Sequence, residues 1–299
     1  MGASRFRAGV LGHPIGHSRS PALHRAAYKG LGLDVDYRAY DLSPAQLPAF
    51  VHGLRSSLVD GESDPWLGCS VTMPHKAAMV PFMDRVSERV RLLGVLNTVV
   101  WDPDGTAFGH NTDVDGIVRA LQFAGQDAQT TGGTVAVVGG GGTAAAALAA
   151  APGLGADAVE LFLRTPCKAA GLVELAAELG LGTSVHPLQD LNERAPHCGA
   201  VVVTLPPRAA DPLAAAVLED PVGAELPPLL DVAYDPWPSA LAIAWEERGG
   251  RVVSGLEMLL YQAVEQVRLF TDRPRQGTPE PDWDAIIGQM ATTIGLPPR

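Results

Sequence analysis

The chain has 299 residues and a formal net charge of −11, because it carries 33 Asp and Glu residues against 22 Lys and Arg residues. Such an acidic composition argues against nucleic acid and anionic membranes as partners, since both attract clustered Lys and Arg side chains. Hydrophobic residues make up 46% and charged residues 18%, a balance typical of a globular protein, and the length predicts two domains.

The first part of the chain alternates short strands with helices. Strands are predicted at residues 6–12, 35–40, 67–72 and 96–101. Helices are predicted at residues 22–30 after Pro21, at residues 44–54, from His75 onwards and at residues 113–124, with a loop at residues 109–112. Strands separated by helices are typical of an α/β domain with a parallel-rich sheet.

A second α/β unit is predicted to begin near residue 133. Its strands are expected at residues 134–138, 158–163, 200–204 and 229–232, and its first helix follows a run of four glycines. Two later helices are predicted at residues 255–270 and 282–293. The pattern therefore predicts the α/β fold class for both parts of the chain.

The first strand of this second unit runs directly into Gly139-x-Gly141-Gly142-x-Ala144. Glycines allow a tight turn and let a pyrophosphate approach the N-terminus of the next helix, where free N–H groups and the helix dipole favour an anion. A flexible linker is the alternative, but the strand before the glycines and the helix after them favour a cofactor site. We predict that Gly139, Gly141, Gly142 and Thr143 bind a dinucleotide, although their spacing is more compressed than the commonest pattern.

The end of the next predicted strand distinguishes NADP from NAD. NAD sites usually place Asp or Glu there, about 20 residues beyond the glycine loop, to bind the ribose 2′-hydroxyl. This chain has Arg164 and Thr165 at that position and Lys168 soon after, whereas Glu160 lies too early, inside the strand. A guanidinium fork, a hydroxyl and an ammonium can bind a 2′-phosphate, so the pattern predicts NADP. The alternative is that these cations are solvated surface residues.

Three polar loops precede the glycine loop and carry candidate ligand-binding side chains. Each has a plain structural explanation, because Ser-x-Ser beside a helix can cap it, Asn-Thr at a strand end is usually a turn, and Asp is a common N-cap. The functional hypothesis is that all three loops bind one ligand. The candidates are Ser18 and Ser20 in the first loop, Thr72 and Lys76 in the second, and Asn97 and Asp113 in the third.

Six segments of the chain resemble the shikimate dehydrogenase family, in the family's order and across nearly the whole chain. They are residues 12–24 (GHPIGHSRSPALH), 71–76 (VTMPHK), 94–98 (GVLNT), 109–116 (GHNTDVDG), the glycine loop and residues 255–263 (GLEMLLYQA). A chance match to all six segments is implausible, so the set is highly specific.

The resemblance implies an N-terminal α/β substrate-binding domain of residues 1–112 and 256–299, a Rossmann-like NADP-binding domain of residues 113–255, and a cleft between them. It implies reversible reduction of 3-dehydroshikimate to shikimate with NADP as the cofactor. It also implies roles for single residues: Ser18 and Ser20 hold the substrate carboxylate, Thr72, Lys76, Asn97, Asp113 and Gln262 surround the ring hydroxyls, Tyr234 lies at the cofactor-facing side of the cleft, and Gly255 and Met258 lie near the nicotinamide.

Three places depart from the family pattern. Ser70 stands where the family often has Asn, so the hydroxyl contact expected there is shorter or water-mediated. Leu163 stands where the family often has Asn, which removes a polar contact near the adenosine ribose. Residues 203–207 (VTLPP) replace a usual Asn-Ala-Thr-Ser stretch, so a different shape is expected for that part of the nicotinamide pocket.

The proposed chemistry needs a hydride, which NADPH supplies, and a proton for the developing alkoxide. A lysine amine in a closed site can exchange a proton near neutral pH, whereas an arginine stays protonated. Lysine occurs only at Lys29, Lys76 and Lys168, so its presence in the second polar loop is informative. We predict that Lys76 and Asp113 form the catalytic pair, with the proton supplied by Lys76 alone or through the pair.

Other functions and properties follow from the same sequence. An enzyme of the same family that prefers quinate or uses NAD, and a regulatory module that senses a shikimate-pathway metabolite, are the alternative functions. No metal site is predicted, because the histidines of the polar loops have no recognised ligand spacing. Three distant cysteines favour the reducing cytoplasm, and no apolar run predicts a signal peptide or a membrane span. Both a monomer and a homodimer are compatible with the sequence.

Overall fold

The computed structural model describes residues 5–60, 64–125, 133–219 and 225–298. The chain divides into two compact units, unit 1 (Met1–Thr112 and Gln262–Arg299) and unit 2 (Asp113–Tyr261). Over the described residues, no helix is long and apolar enough to cross a membrane. Each unit contains one six-stranded sheet with helices, so the predicted α/β class is confirmed.

The sheet of unit 1 is mixed. Its strands are β1 (Phe6–Gly12), β2 (Val35–Asp41), β3 (Trp66–Val71), β4 (Arg85–Val86), β5 (Thr98–Trp101) and β6 (Ala107–His110). They lie in the order β2-β1-β3-β5-β6-β4, with β1 parallel to β2 and β3, and β5 antiparallel to β3 and β6. The predicted loop at residues 109–112 was wrong in its first half, because Gly109 and His110 belong to β6.

The helices of this part of the chain are α1 (Ser20–Gly30), α2 (Leu47–Val59), α3 (His75–Ala78) and α4 (Glu88–Leu93). Pro21 lies in the first turn of α1, where a missing N–H group costs no hydrogen bond. Helix α4 was not predicted, although Ser87 accepts a hydrogen bond from the Val90 N–H at its N-terminus. Large buried side chains such as Trp66 and Trp101 fill a core between the sheet and helices α2 and α4.

The sheet of unit 2 is parallel throughout. Its strands are β7 (Gly133–Val138), β8 (Ala156–Leu163), β9 (Gly182–Pro187), β10 (Ala200–Val203), β11 (Leu229–Asp231) and β12 (Val252–Ser254). Their order, β12-β11-β10-β7-β8-β9, is that of a Rossmann sheet, in which the strand order reverses between β7 and β10. The sequence did not predict β9 and β12; β9 lies at the sheet edge and is half-exposed along most of its length.

The helices of unit 2 are α5 (Asp113–Phe123), α6 (Gly142–Ala150), α7 (Ala170–Glu178), α8 (Leu191–Arg194), α9 (Asp211–Glu219) and α10 (Ala240–Glu247). Helix α11 (Gly255–Thr271) begins in unit 2 and ends in unit 1, and α12 (Trp283–Thr293) belongs to unit 1. The sequence places the second domain boundary between residues 255 and 256, whereas the division of the chain falls after Tyr261, within α11.

Candidate active site

The polar loops of unit 1 begin at one edge of its sheet. Because β1 and β3 are parallel, both strands end at this edge, and Leu11 pairs with Val71 there. Strand β5 is antiparallel to β3, so β5 begins at the same edge. Strand β6 is antiparallel to β5, so β6 ends at this edge. The topology therefore brings together loops that are far apart in sequence, and these loops carry Ser18 and Ser20, Thr72 and Lys76, Asn97, and Thr112.

Main-chain hydrogen bonds join three of these loops. The Leu96 N–H donates to the Lys76 carbonyl oxygen at 3.1 Å, and the Asn97 N–H donates to the His110 carbonyl oxygen at 3.1 Å. The Thr72 N–H donates to the Leu11 carbonyl oxygen at 2.9 Å. The backbone of Lys76 is thus fixed beside the residue that precedes Asn97.

Asn97 is the centre of a buried hydrogen-bonded cluster. Its Oδ1 accepts from the Thr112 N–H at 2.8 Å and from the Thr98 hydroxyl at 2.7 Å. Its Nδ2 donates to Thr112 Oγ1 at 2.9 Å and lies 3.4 Å from Gln262 Oε1. The Thr112 hydroxyl in turn donates to the Gln262 carbonyl oxygen at 3.0 Å. Because a main-chain N–H can only donate, the Thr112 contact fixes which end of the Asn97 amide is oxygen.

Of the predicted catalytic residues, Asp113 adjoins this cluster along the chain, and Lys76 is connected to it through the main-chain hydrogen bond from Leu96. Lys76 lies on α3 and is half-buried. The α3 segment is anchored by His75, whose Nε2 lies 2.7 Å from the Leu42 carbonyl oxygen. Asp113 directly follows Thr112, is 5% exposed and is the first residue of α5, where a carboxylate also complements the helix dipole.

The capping explanation of the N-terminal serines holds only in part, because the N-cap residue of α1 is Arg19, which makes no side-chain cap hydrogen bond, and Ser18 accepts from the first helical N–H. Ser20 is buried and is the first residue of α1, and its N–H donates to Ser18 Oγ at 3.3 Å. Ser18 is half-buried. A hydroxyl that accepts a hydrogen bond still carries its own proton, so capping leaves Ser18 able to donate to a carboxylate.

In unit 2 the glycine loop follows β7 through a backbone turn that requires glycine. Gly139 has φ of +120°, and a methyl group on it would overlap Thr204 Oγ1. Thr204 is held at this point because its N–H and its hydroxyl both donate to the Val138 carbonyl oxygen, at 2.8 and 3.0 Å. Gly141 precedes α6, and a methyl group there would meet no atom within 4 Å. The loop therefore has the turn, the open space and the helix N-terminus expected of a pyrophosphate site.

The predicted phosphate-binding residues lie at the end of β8. Arg164, Thr165 and Lys168 are all exposed. Glu160 lies inside β8, and its two carboxylate oxygens accept hydrogen bonds from Arg194 at 2.6 and 2.8 Å. The connection from residue 164 to residue 169 contains no Asp or Glu. The chemistry of this strand end therefore suits a phosphate better than a ribose hydroxyl.

The ends of β10 and β11 line a cavity of about 270 Å³. Asp231 contributes to it and accepts hydrogen bonds from the Ala233 N–H at 3.1 Å and from the Ser239 hydroxyl at 2.7 Å. Burial raises the pKa of the Asp231 carboxyl, and these two hydrogen bonds oppose the rise. The segment between Asp231 and Ser239 carries Tyr234, which belongs to unit 2, as does Asp113.

The first turn of α11 contains the remaining predicted cofactor residues. Gly255 packs against the end of β11 so closely that a methyl group would overlap the Val232 carbonyl oxygen. Met258 is buried on the same helix, 6% exposed. Both residues lie in unit 2, whereas Gln262, one turn further along α11, belongs to unit 1.

The chain matches the family model of the shikimate dehydrogenase substrate-binding domain at residues 10–99 and that of the shikimate 5′-dehydrogenase C-terminal domain at residues 255–274. A shikimate dehydrogenase (NADP(+)) of Rubrobacter xylanophilus is 38% identical over 271 residues, which cover 88% of this chain and 89% of the relative. The chain belongs to the shikimate dehydrogenase family.

Solved structures of the shikimate dehydrogenase family share the fold along almost the whole chain. The crystal structure of the Mycobacterium tuberculosis shikimate dehydrogenase has a TM-score of 0.79 and 37% identity, and covers 96% of this chain and 99% of its own. The Thermus thermophilus shikimate 5-dehydrogenase, in complex with NADP(H) and shikimate, has a TM-score of 0.75 and 29% identity at the same coverage. The resemblance expected from the six segments is confirmed.

No role was predicted for Thr98, Thr112, Thr204 or Gln266, although Thr98 and Thr112 lie inside two of the six motif segments; the Nε2 of Gln266 donates to the Asn97 carbonyl oxygen. Gln266 carried a detectable signal, because a second glutamine four residues after Gln262 falls on the same face of α11. The departure at residues 203–207 includes Thr204 but gave no sign of its contact with Gly139, since that contact depends on the pairing of β7 with β10.

Proposed function

We propose that this protein is an NADP-dependent shikimate dehydrogenase, which reversibly reduces 3-dehydroshikimate to shikimate. The observation that carries the proposal is the arrangement in unit 1, where loops from one sheet edge are hydrogen-bonded around Asn97. Polar groups gathered at one place by such a topology suit a ligand with a carboxylate and several hydroxyls. Membership of the shikimate dehydrogenase family supports this choice of ligand.

The substrate is proposed to bind through two sets of side chains. Ser18 and Ser20, at the start of α1, donate hydrogen bonds to the carboxylate. Thr72, Lys76, Asn97, Asp113 and Gln262 surround the ring hydroxyls, and Tyr234 is a further proposed substrate-binding residue. Asn97 and Gln262 are buried, so their amides are held in one orientation before the substrate arrives.

The cofactor is proposed to be NADP, bound by Gly139, Gly141, Gly142 and Thr143 at the pyrophosphate and by Arg164, Thr165 and Lys168 at the 2′-phosphate. When bound, it supplies the hydride that reduces the substrate ketone. Gly255 and Met258 are proposed to lie near the nicotinamide. The open space above Gly141 and the cations at the end of β8 support this assignment.

Proton transfer is proposed to rest on Lys76 and Asp113. The alkoxide oxygen receives a proton from Lys76 alone or through the pair as the ketone is reduced, and the proton returns by the same route in the reverse reaction. Asp113 hydrogen-bonds the same hydroxyl and holds the ammonium of Lys76 in place. The fixed backbone at Lys76 and the direct chain link from Thr112 to Asp113 support the pairing.

A four-way assay tests this function. Reduced-cofactor formation is measured with shikimate or quinate, each with NADP or NAD. We expect the highest kcat/KM with shikimate and NADP. Preference for quinate or for NAD would contradict the corresponding assignment. Shikimate binding without any reduction of NADP would instead support a metabolite-sensing module.

A further inference from the structure

A second buried hydrogen-bonded chain in unit 1 leads to the Asn97 cluster. Tyr37 of β2 is linked to Gln266 of α11 through Ser70 of β3, and His24 of α1 contacts Gln266 directly. Ser70 and Gln266 are 3% and 1% exposed, and His24 is fully buried. None of these residues belongs to the proposed ligand-binding set.

The orientation of the Gln266 amide follows from its partners. Its Nε2 lies 3.0 Å from the Asn97 carbonyl oxygen, which can only accept, so this end of the amide is the NH₂ group. The same group donates to Thr98 Oγ1 at 3.1 Å. The amide oxygen must then face Ser70 and His24, and it accepts from the Ser70 hydroxyl at 2.7 Å.

The other members of the chain have defined donor and acceptor roles as well. Tyr37 donates its phenolic proton to Ser70 Oγ at 2.7 Å, which leaves the Ser70 proton for Gln266. His24 Nε2 lies 3.2 Å from Gln266 Oε1 and must carry a proton, so Nδ1 accepts from the Tyr28 hydroxyl at 3.0 Å. Burial lowers the pKa of His24 to about 3, which keeps the ring neutral in this role.

This series of hydrogen bonds ends at Thr98, where it sets the direction of the hydroxyl group. Because Thr98 Oγ1 accepts from Gln266 Nε2, its own proton is free to point at Asn97 Oδ1, 2.7 Å away. That bond and the Thr112 N–H hold the Asn97 oxygen on one side. The Asn97 NH₂ group is therefore kept on the side of Gln262.

We propose that Gln266 is a positioning residue, which orients the Asn97 amide for the substrate through Thr98 and through the Asn97 main chain. The inference rests on the proposed substrate role of Asn97. It also gives Ser70 a function, because this serine orients Gln266 from within the protein.

The test compares steady-state KM values of the full-length enzyme for shikimate and for NADP. Gln266→Met keeps the length of the side chain and removes both amide groups. Thr98→Val removes the hydroxyl, and Thr98→Ser keeps it. We expect Gln266→Met and Thr98→Val to raise the KM for shikimate by about 3- to 10-fold, the effect of losing one neutral hydrogen bond. The KM for NADP should stay within about twofold, and Thr98→Ser should behave like the wild type.

A matched control separates positioning from stability. Thr271 is fully buried on α11, and its hydroxyl donates to the Val267 carbonyl oxygen at 2.7 Å, outside the chain that reaches Asn97. Thr271→Val should lower the Tm without changing the KM for shikimate. The double variant Gln266→Met/Thr98→Val should show less than the product of the two single effects, because both residues act on one amide.

Several outcomes would overturn the proposal. These are an unchanged KM for shikimate in Gln266→Met alongside a lowered Tm, independent effects in the double variant, or Thr98→Ser as impaired as Thr98→Val. If Gln266→Met does not fold, the KM values of Thr98→Val and Thr98→Ser for shikimate test the proposal instead. If the wild type shows no turnover, the proposed enzymatic function fails separately, and the shikimate Kd of the same variants, measured by calorimetry, decides the positioning role. A wild type that binds no shikimate overturns both.

Discussion

Asn97 and Gln262 in unit 1 are buried and bonded to other side chains, whereas Arg164, Thr165 and Lys168 in unit 2 are exposed at the end of β8. The glycine loop of unit 2 depends on a positive φ at Gly139 and on open space at Gly141. In unit 1, a change behind the site can therefore alter the geometry of a ligand-binding group. In unit 2, a change should affect mainly the group that is removed.

The largest effect is expected at the proton-handling residue of the candidate site. Lys76→Ala should lower kcat for shikimate oxidation by about 1,000-fold, since a positioned general acid–base group contributes roughly 10²- to 10⁴-fold. Shikimate binding, measured by calorimetry, should weaken far less. Lys29→Ala, at an exposed position of α1, is the control and should leave kcat unchanged. A Lys76→Ala enzyme that keeps most of its kcat would remove the catalytic assignment.

Two glycines of the glycine loop should respond differently to the same methyl group. Gly139→Ala combines a left-handed φ with an overlap on Thr204, so it should lower the free energy of unfolding by about 1–3 kcal/mol. Gly141→Ala adds its methyl group in open space, so stability should hold while the KM for NADP rises. Denaturant unfolding and steady-state kinetics measure the two effects. If both variants lose the same stability, the positive φ of Gly139 does not distinguish it from Gly141.

Loss of Arg164, which is exposed at the end of β8, should weaken the binding of NADP alone. Arg164→Gln should raise the KM for NADP by about 10- to 100-fold, the range for losing charge-assisted hydrogen bonds to a phosphate. The KM values for NAD and for shikimate should change little. Arg91→Gln, at an exposed residue of α4, is the charge-matched control. If the KM for NAD rises as much as the KM for NADP, Arg164 does not bind the 2′-phosphate.

The buried histidine of unit 1 should make stability depend on pH. Burial holds the pKa of His24 near 3, below its ordinary 6.5, so the unfolded chain binds a proton that the folded protein excludes. Stability should fall as the pH drops from 6.5 towards 3, by up to about 1.4 kcal/mol per pH unit from this residue. His24→Gln should show a shallower pH dependence in urea unfolding over that window. An equal slope in both proteins would mean that His24 is not the source.

Local patterns predicted the parts of the fold in which a short stretch of sequence determines its own structure. The strand before Gly139, the helix after Pro21 and the long helix from Gly255 follow from alternation, proline position and apolar periodicity. The two-residue strand β4 and the short strand β12 lacked such a signal, because each forms only by pairing with a distant neighbour.

The residues of the candidate site also fall into two groups, those that a local motif predicts and those whose role depends on a distant contact. The residues inside the six motif segments could be assigned because the motifs are local. Thr98 lies at the end of one motif, yet its role depends on Gln266, 168 residues away. No periodicity within either segment encodes that contact, since it arises only when α11 packs beside β5.

The position of Gln266 also bears on how the protein is made. Unit 2 is one continuous stretch of chain, whereas unit 1 is completed by residues from position 262 onwards. The acceptor for Ser70 is synthesised 196 residues after Ser70 itself. At about 5–20 residues per second, the ribosome needs roughly 10–40 s to cover that distance. Once the Asn97 segment has been synthesised, it lacks the residue that orients it for the rest of this interval, and the whole of unit 2 is synthesised before Gln266.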